Sequence, residues 1–125
     1  YNVYKVAYVY PTAPTHHALF VETDDTGLGS IFHVRGSIRE EMEYEIRSRL
    51  TPRQQQHFSK VRIRAVPYTR LWYLMDVCEG VPPPGRQSDD NDERINPGEP
   101  LYCCGEWLDS VIQELKCHGV LDNLP

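Results

Sequence analysis

The sequence lacks the features that mark membrane proteins and nucleic-acid-binding proteins. No apolar segment approaches the ~20 residues that a helix needs to span a bilayer. The formal net charge is -5, and no basic stripe with interleaved aromatic residues offsets this acidic balance. We therefore expect neither a membrane span nor a nucleic-acid partner. No internal repeat is evident, and the charged and apolar fractions are those of a globular protein.

The cysteines lack the spacing of a disulfide framework or of a zinc site. The chain has four, namely Cys78, Cys103, Cys104 and Cys117. Adjacent cysteines rarely bridge each other, and a domain of this size does not need disulfides. No Cys-x-x-Cys motif occurs, and the adjacent thiols diverge around a helix, which disfavours the alternative of a metal site built from them and the histidines. The sequence predicts reduced thiols in a cytoplasmic setting, without a metal or cofactor.

The length is that of one domain over residues 1–125, which buries roughly two thirds of its extended surface. The chain begins at Tyr1 without a methionine or a signal-like apolar region, which indicates trimming. Residues 82–100 are rich in proline and acidic side chains, so we expect a flexible loop there. Two roles stay open for this loop: a solvated connector, or a lid beside a substrate cleft.

Alternation of apolar and polar residues predicts most of the strands. Residues 37–47 are ambiguous, because Ser37 and Glu40 form a capping box whereas residues 42–47 alternate as in a half-exposed strand. We favour the strand. Two of the predicted strands carry histidines and are joined by a polar loop with two glycines, so they are expected to form a hairpin. The predicted strands cover residues 3–10, 15–21, 30–34, 42–47 and 61–65.

Helices are predicted mainly in the second half of the chain. Thr51-Pro52 is typical of a short helical turn that runs to Gln56. Thr69 is a suitable N-cap for a helix that ends at Gly80, and Trp72 and Tyr73 are expected to broaden its buried face. The last helix begins at the cysteine pair and ends near residues 117–118, with Gly119 as its left-handed cap.

The start of the last helix is the most informative position in the chain. A thiol on the first turn of a helix lies at the positive end of the macrodipole, which favours the nucleophilic thiolate. Cys104 falls near the centre of the apolar stripe of this helix, whereas Cys103 falls toward its edge. Cys104 therefore faces the body of the fold. Such a residue is either a nucleophile or an ordinary buried cysteine, and a nucleophile requires a base nearby.

Candidate bases lie in the two histidine strands. In an antiparallel pair His16 and His33 can share one face of the sheet, while strand alternation places His17 on the other face. Only one of the two adjacent histidines can therefore face the thiol. The alternative for each is a half-buried strand histidine with a backbone partner.

Taken in order, these motifs resemble the permuted papain-like NlpC superfamily. They are a histidine followed by Ala-Leu-Phe-Val, a second histidine in a strand that ends His-Val-Arg-Gly, and a late helix that starts with cysteine. The similarity is to small fungal domains of uncharacterised function and, more distantly, to the lecithin:retinol acyltransferase branch. It implies a thiol nucleophile at Cys104, a general base at His16 and an orienting role for His33. The related domains usually have His-Trp and Asn-Cys where this chain has His16-His17 and Cys103-Cys104, which leaves His17 and Cys103 as alternates.

The expected fold is α+β: an antiparallel sheet of four to five strands, permuted papain-like, with the C-terminal cysteine-bearing helix packed on the face that displays His16 and His33. The expected function is that of a cysteine-dependent hydrolase or acyl transferase acting on an amide, thioester or ester bond of a small-molecule, peptidyl or acyl substrate. The alternative is a catalytically inactive binding or regulatory module on the same scaffold.

Overall fold

A computed structural model describes residues 1–10, 13–50 and 58–122. Within these ranges, five strands are followed by a 3₁₀ turn at Tyr68–Arg70 and two helices. The strands and helices have these bounds: β1 Asn2–Tyr10, β2 Ala13–Glu22, β3 Gly29–Arg35, β4 Glu43–Leu50, β5 Phe58–Ala65, α1 Leu71–Gly80 and α2 Cys104–Cys117. The expected α+β class with an antiparallel sheet and a C-terminal cysteine-bearing helix is confirmed. None of the helices in the described ranges is long and apolar enough to cross a membrane.

The sheet has the order β4-β3-β2-β1-β5, and every neighbouring pair is antiparallel. The histidine strands β2 and β3 form the expected hairpin, with Leu19 opposite Phe32 and Glu22 opposite Gly29. Residues 43–50 form a strand, which confirms the interpretation favoured from the alternating pattern. The helical turn predicted at Thr51-Pro52 lies outside the described residues.

The two faces of the sheet are covered differently. On one face the inward residues of β2 and β3 pack with Trp107, Leu108 and Val111 of α2 into the main core. The other face carries a smaller buried cluster, formed by Val6, Ala18, Phe20 and Ile31. Strand residues alternate between the two faces. Odd-numbered residues of β2 and even-numbered residues of β3 therefore lie on the side of α2.

The helix α1 follows a 3₁₀ turn, and two predictions made for this helix are wrong. Thr69 lies inside the turn, so the N-cap of α1 is Arg70, and no side chain caps it. Trp72 is 65% exposed and does not broaden the buried face, which Leu74 and Cys78 provide. Tyr73 packs partly against the main core, as expected.

The helix α2 ends as predicted, since Gly119 has a φ of 65° and its N–H bonds the carbonyl oxygen of Lys116. Trp107 is fully buried, and its indole N–H donates to the carbonyl oxygen of Val81 at 3.1 Å. Residues 82–100 form no helix or named strand, and the backbone N–H of Ser88 donates to the carbonyl oxygen of Ile38. The loop is therefore connected to the segment that precedes β4.

Candidate functional site

Cys104 is the first residue of α2, and Cys103 is its N-cap. The Cys103 side chain accepts a hydrogen bond from the backbone N–H of Glu106, while the Cys103 N–H donates to the Glu106 carboxylate at 3.0 Å. These two bonds form a capping box, which fixes the first turn of the helix. Burial and the neighbouring Glu106 raise the pKa of the Cys103 thiol. Cys103 thus has a structural task, and Cys104 is the better candidate nucleophile.

The sulfur of Cys104 lies against the edge of β2. The backbone N–H of His17 donates to Sγ at 3.4 Å, and Sγ lies 3.7 Å from the carbonyl oxygen of Thr15. Alternate residues of a strand direct their backbone groups to the same edge. Pairing of β2 with β3 runs only from Leu19 to Glu22 of β2, and the Cys104 thiol bonds the strand beyond that point. The sulfur therefore lies beside the backbone of residues 15–17.

The histidines do not lie where we expected relative to α2. His17 is an odd-numbered residue of β2, like Leu19 and Val21 of the main core, so it lies on the side of α2. A Cβ built on Gly105 of α2 would lie 3.1 Å from Cδ2 of His17. His16 has the parity of Ala18 and Phe20, on the opposite face. The prediction that α2 packs on the face displaying His16 and His33 is therefore wrong. The prediction that His16 and His17 lie on opposite faces is correct.

His16 and His33 are brought together on the face opposite α2. Nε2 of His16 lies 2.8 Å from Nδ1 of His33, and the two rings meet edge to face. The ring of His16 also stacks on Tyr8 of β1. Nε2 of His33 lies 3.4 Å from Oε1 of Glu45, which is its register partner on β4. A chain of three side chains, Glu45, His33 and His16, thus crosses three strands.

Burial keeps both of these imidazoles neutral near pH 7. Desolvation, followed by the charges of His33 and His17, lowers the pKa of His16 to about 4. Burial also lowers the pKa of His33, although the hydrogen bond to Glu45 acts in the opposite direction. The bond to the Arg35 guanidinium lowers the pKa of the Glu45 carboxyl, and Arg35 contacts its Oε2. Neutral imidazole is the form that can accept a proton.

His17 differs from His16 in its partners. Its Nδ1 is buried without a hydrogen-bond partner, and the Cδ2 and Nε2 side of its ring faces Gly105. Across residues 1–10, 13–50 and 58–122, no hydrogen bond joins the Cys104 sulfur to an imidazole nitrogen of His16 or His17. The hydrogen bonds of the thiol are therefore with the backbone of Thr15 and His17.

Two residues of this site were missed by the sequence analysis. Glu45 was seen only as a polar position of an alternating strand, and its contact with His33 depends on the β3–β4 register. No sequence pattern singles out Gly105, whose lack of a Cβ leaves room for the His17 ring beside α2. Glu45 lies in an open cleft of about 790 Å³. The cleft is lined by His33, Arg35, Glu45, Ile46, Arg47 and Ser48.

All four cysteines are free thiols. Cys78 is buried in the main core, where desolvation raises its pKa to about 12 and makes it unreactive. Cys117 is exposed at the end of α2, far along the helix from Cys104. These positions leave Cys104 as the thiol with both partial burial and a helix-start location.

Comparison with known proteins identifies a family but not an activity. No curated protein and no solved structure matches this sequence. A family described as a family of unknown function (DUF6540) matches residues 3–122, which includes every residue of the site described above. The chain therefore belongs to the family of unknown function DUF6540.

Proposed function

We propose that the protein is a cysteine-dependent hydrolase or acyl transferase in which Cys104 is the nucleophile. The observation that carries the proposal is the position of its sulfur, on the first turn of α2 and hydrogen-bonded to a backbone N–H of the strand that bears His16 and His17. A helix N-terminus and an N–H donor both favour a negatively charged sulfur.

His16 is the general base in this proposal, and His33 orients it. The ring of His16 is held by a 2.8 Å contact with His33, whereas His17 Nδ1 has no partner to hold it. A base whose second nitrogen is bonded to an orienting group is the arrangement shared by catalytic triads on unrelated folds. This assignment agrees with the resemblance to the permuted papain-like superfamily.

The reaction begins with proton transfer from the Cys104 thiol to His16. The sulfur then attacks the acyl carbon of an amide, thioester or ester, and the backbone N–H of Cys104 helps to stabilise the oxyanion. The tetrahedral intermediate collapses to an S-acyl enzyme as the leaving group departs with the proton from His16. Water or an acceptor nucleophile next takes the acyl group and restores the free thiol.

Proton transfer requires a connection between the His16 ring and the Cys104 sulfur. The sulfur lies beside the backbone of residues 15–17, so His16 is attached to the same stretch of chain that the sulfur contacts. One bridging water between the His16 ring and the sulfur would relay the proton and leave the contact of His16 Nε2 with His33 in place. Catalytic hydrogen bonds commonly form only once substrate is bound.

The test is acylation and alkylation of the purified protein at pH 7. We expect an S-acyl adduct on Cys104 after exposure to p-nitrophenyl acetate, located by mass spectrometry, and iodoacetamide alkylation faster than that of free cysteine. Cys104→Ala should abolish both, while Cys117→Ala, the matched control on an exposed thiol, should change neither. His16→Gln should slow acylation by about tenfold or more, and a larger effect of His17→Gln would make His17 the base.

A binding or regulatory module without turnover is the second candidate. It is favoured by one observation: in the described part of the chain neither imidazole bonds the Cys104 sulfur. In that case the thiol reacts no faster than free cysteine and forms no acyl adduct with any acyl probe. Those two results together would reject the enzymatic proposal.

A further inference from the structure

We propose that Glu45 is a positioning residue, which sets the tautomers of His33 and His16 in series and leaves Nδ1 of His16 as the proton acceptor. This inference rests on the proposed function for its catalytic consequence. The hydrogen-bond chain itself is independent of turnover, so the two can be tested separately.

The first step concerns Glu45. Its Oε2 accepts a hydrogen bond from Arg35, and Nε of Arg47 lies 3.5 Å from its Oε1. Two guanidinium groups beside one carboxyl keep it ionised, and an ionised carboxylate has acceptors only. Any hydrogen shared between Glu45 and His33 must therefore belong to His33.

The second step concerns His33, which is only 7% exposed. Its Nε2 is 3.4 Å from Oε1 of Glu45, so Nε2 carries the ring hydrogen. A neutral imidazole carries one N–H, and the other nitrogen has a lone pair. Because burial favours the neutral ring, Nδ1 of His33 is an acceptor.

The third step concerns His16. Its Nε2 lies 2.8 Å from the acceptor Nδ1 of His33, so Nε2 of His16 must carry the hydrogen of that bond. The His16 ring is neutral as well, which leaves its Nδ1 with a lone pair. Nδ1 is bonded to Cγ and is the ring nitrogen nearer the strand. It is therefore the His16 nitrogen closer to β2, the strand whose backbone the Cys104 sulfur contacts at Thr15 and His17.

Without Glu45 the chain has no fixed direction. His33 can then place its hydrogen on Nδ1 and donate it to Nε2 of His16, which forces the His16 hydrogen onto Nδ1. A hydrogen on Nδ1 blocks the atom that has to accept the thiol proton. The carboxylate on β4 thus selects the competent tautomer of a histidine two strands away.

The experiment is long-range ¹H–¹⁵N correlation NMR of the imidazoles at pH 7. In the wild-type protein we expect Nε2–H on both His16 and His33. In Glu45→Ala we expect Nδ1–H to appear on both rings and the rate of Cys104 acylation to fall by about tenfold, with little change in KM.

A matched control separates the Glu45 carboxylate from a general loss of acidic charge on β4. Glu43→Gln changes an exposed acidic residue on the same strand and should retain the wild-type tautomers. Nδ1–H on His33 in the wild type, or unchanged tautomers in Glu45→Ala, would overturn the proposal. A third outcome is that the tautomers depend on Glu45 as expected while Cys104 is never acylated. That result would uphold the hydrogen-bond chain and refute the proposed function.

Discussion

The side chain of Gln87 hydrogen-bonds both backbone polar groups of Tyr102. Its Nε2 donates to the Tyr102 carbonyl oxygen, and its Oε1 accepts from the Tyr102 N–H at 2.7 Å. Tyr102 directly precedes the N-cap of α2, and its hydroxyl donates to Ser110 of that helix at 2.9 Å. One amide of the long loop thus fixes the backbone that leads into Cys104.

Gln87→Ala should loosen this connection. We expect the free energy of unfolding to fall by about 1 to 2 kcal/mol, because two partly buried backbone groups lose their partner. Acylation of Cys104 should also become slower, since the start of α2 is less well fixed. Urea denaturation and the acylation rate measure the two effects. Gln113→Ala, an exposed glutamine on α2, is the control and should change neither; equal effects of the two variants would contradict the argument.

Stability should fall as the pH is lowered from 7 to 5. The unfolded chain protonates His16 near pH 6.5, whereas the folded protein resists protonation until about pH 4. Protons therefore bind the unfolded state better over this window, and the free energy of unfolding decreases as pH falls through it. Over that interval His16→Gln should lose about 1 to 2 kcal/mol less than the wild type. Thermal melts at several pH values measure this, with His118→Gln as an exposed-histidine control. An identical pH dependence in His16→Gln and the wild type would rule out His16 as the source.

Gly105 and His17 should be energetically coupled. A Cβ at residue 105 would lie 3.1 Å from Cδ2 of His17, closer than an ordinary contact. In a His17→Ala background, Gly105→Ala should stabilise the protein by about 0.5 to 1 kcal/mol through helix propensity. In the wild-type background the same change has to displace the His17 ring, so most of that gain should be lost. A double-mutant cycle by urea denaturation measures the coupling, and additive effects would show that the ring moves freely.

The two tryptophans should respond very differently to substitution by phenylalanine. Trp107 is fully buried and donates to Val81, so Trp107→Phe loses packing and leaves a carbonyl oxygen unpaired. We expect a cost of about 1 to 3 kcal/mol. Trp72 is 65% exposed, and Trp72→Phe should stay within about 0.5 kcal/mol of the wild type. Calorimetric or chemical unfolding distinguishes the two, and similar costs would contradict the assigned packing.

Local patterns in the sequence were sufficient to predict the strands, the histidine hairpin and the ends of α2. They were also sufficient to place His16 and His17 on opposite faces, since strand alternation fixes that relation. They did not reveal which face α2 covers. Leu19 and Val21 on one face of β2 are as apolar as Ala18 and Phe20 on the other, so the pattern is symmetric with respect to the helix.

The contacts of Glu45 and the cap of α1 depended on information that local patterns do not carry. Glu45 meets His33 because of the β3–β4 register, which is set by how residues 36–42 return the chain. Thr69 has the right chemistry for an N-cap, but Pro67 starts a 3₁₀ turn that includes it. Strand register, a long-range constraint, decided the first outcome, and the backbone conformation of residues 67–70 decided the second.

The bonds that hold the Cys104 sulfur come from the main chain of β2, at Thr15 and His17. Main-chain groups are present whatever side chain a position carries. Substitution of the side chains at residues 15 and 17 can therefore alter the surroundings of the Cys104 sulfur while the sulfur stays in place. The side chains around the sulfur can change without any change in the main-chain groups that hold it.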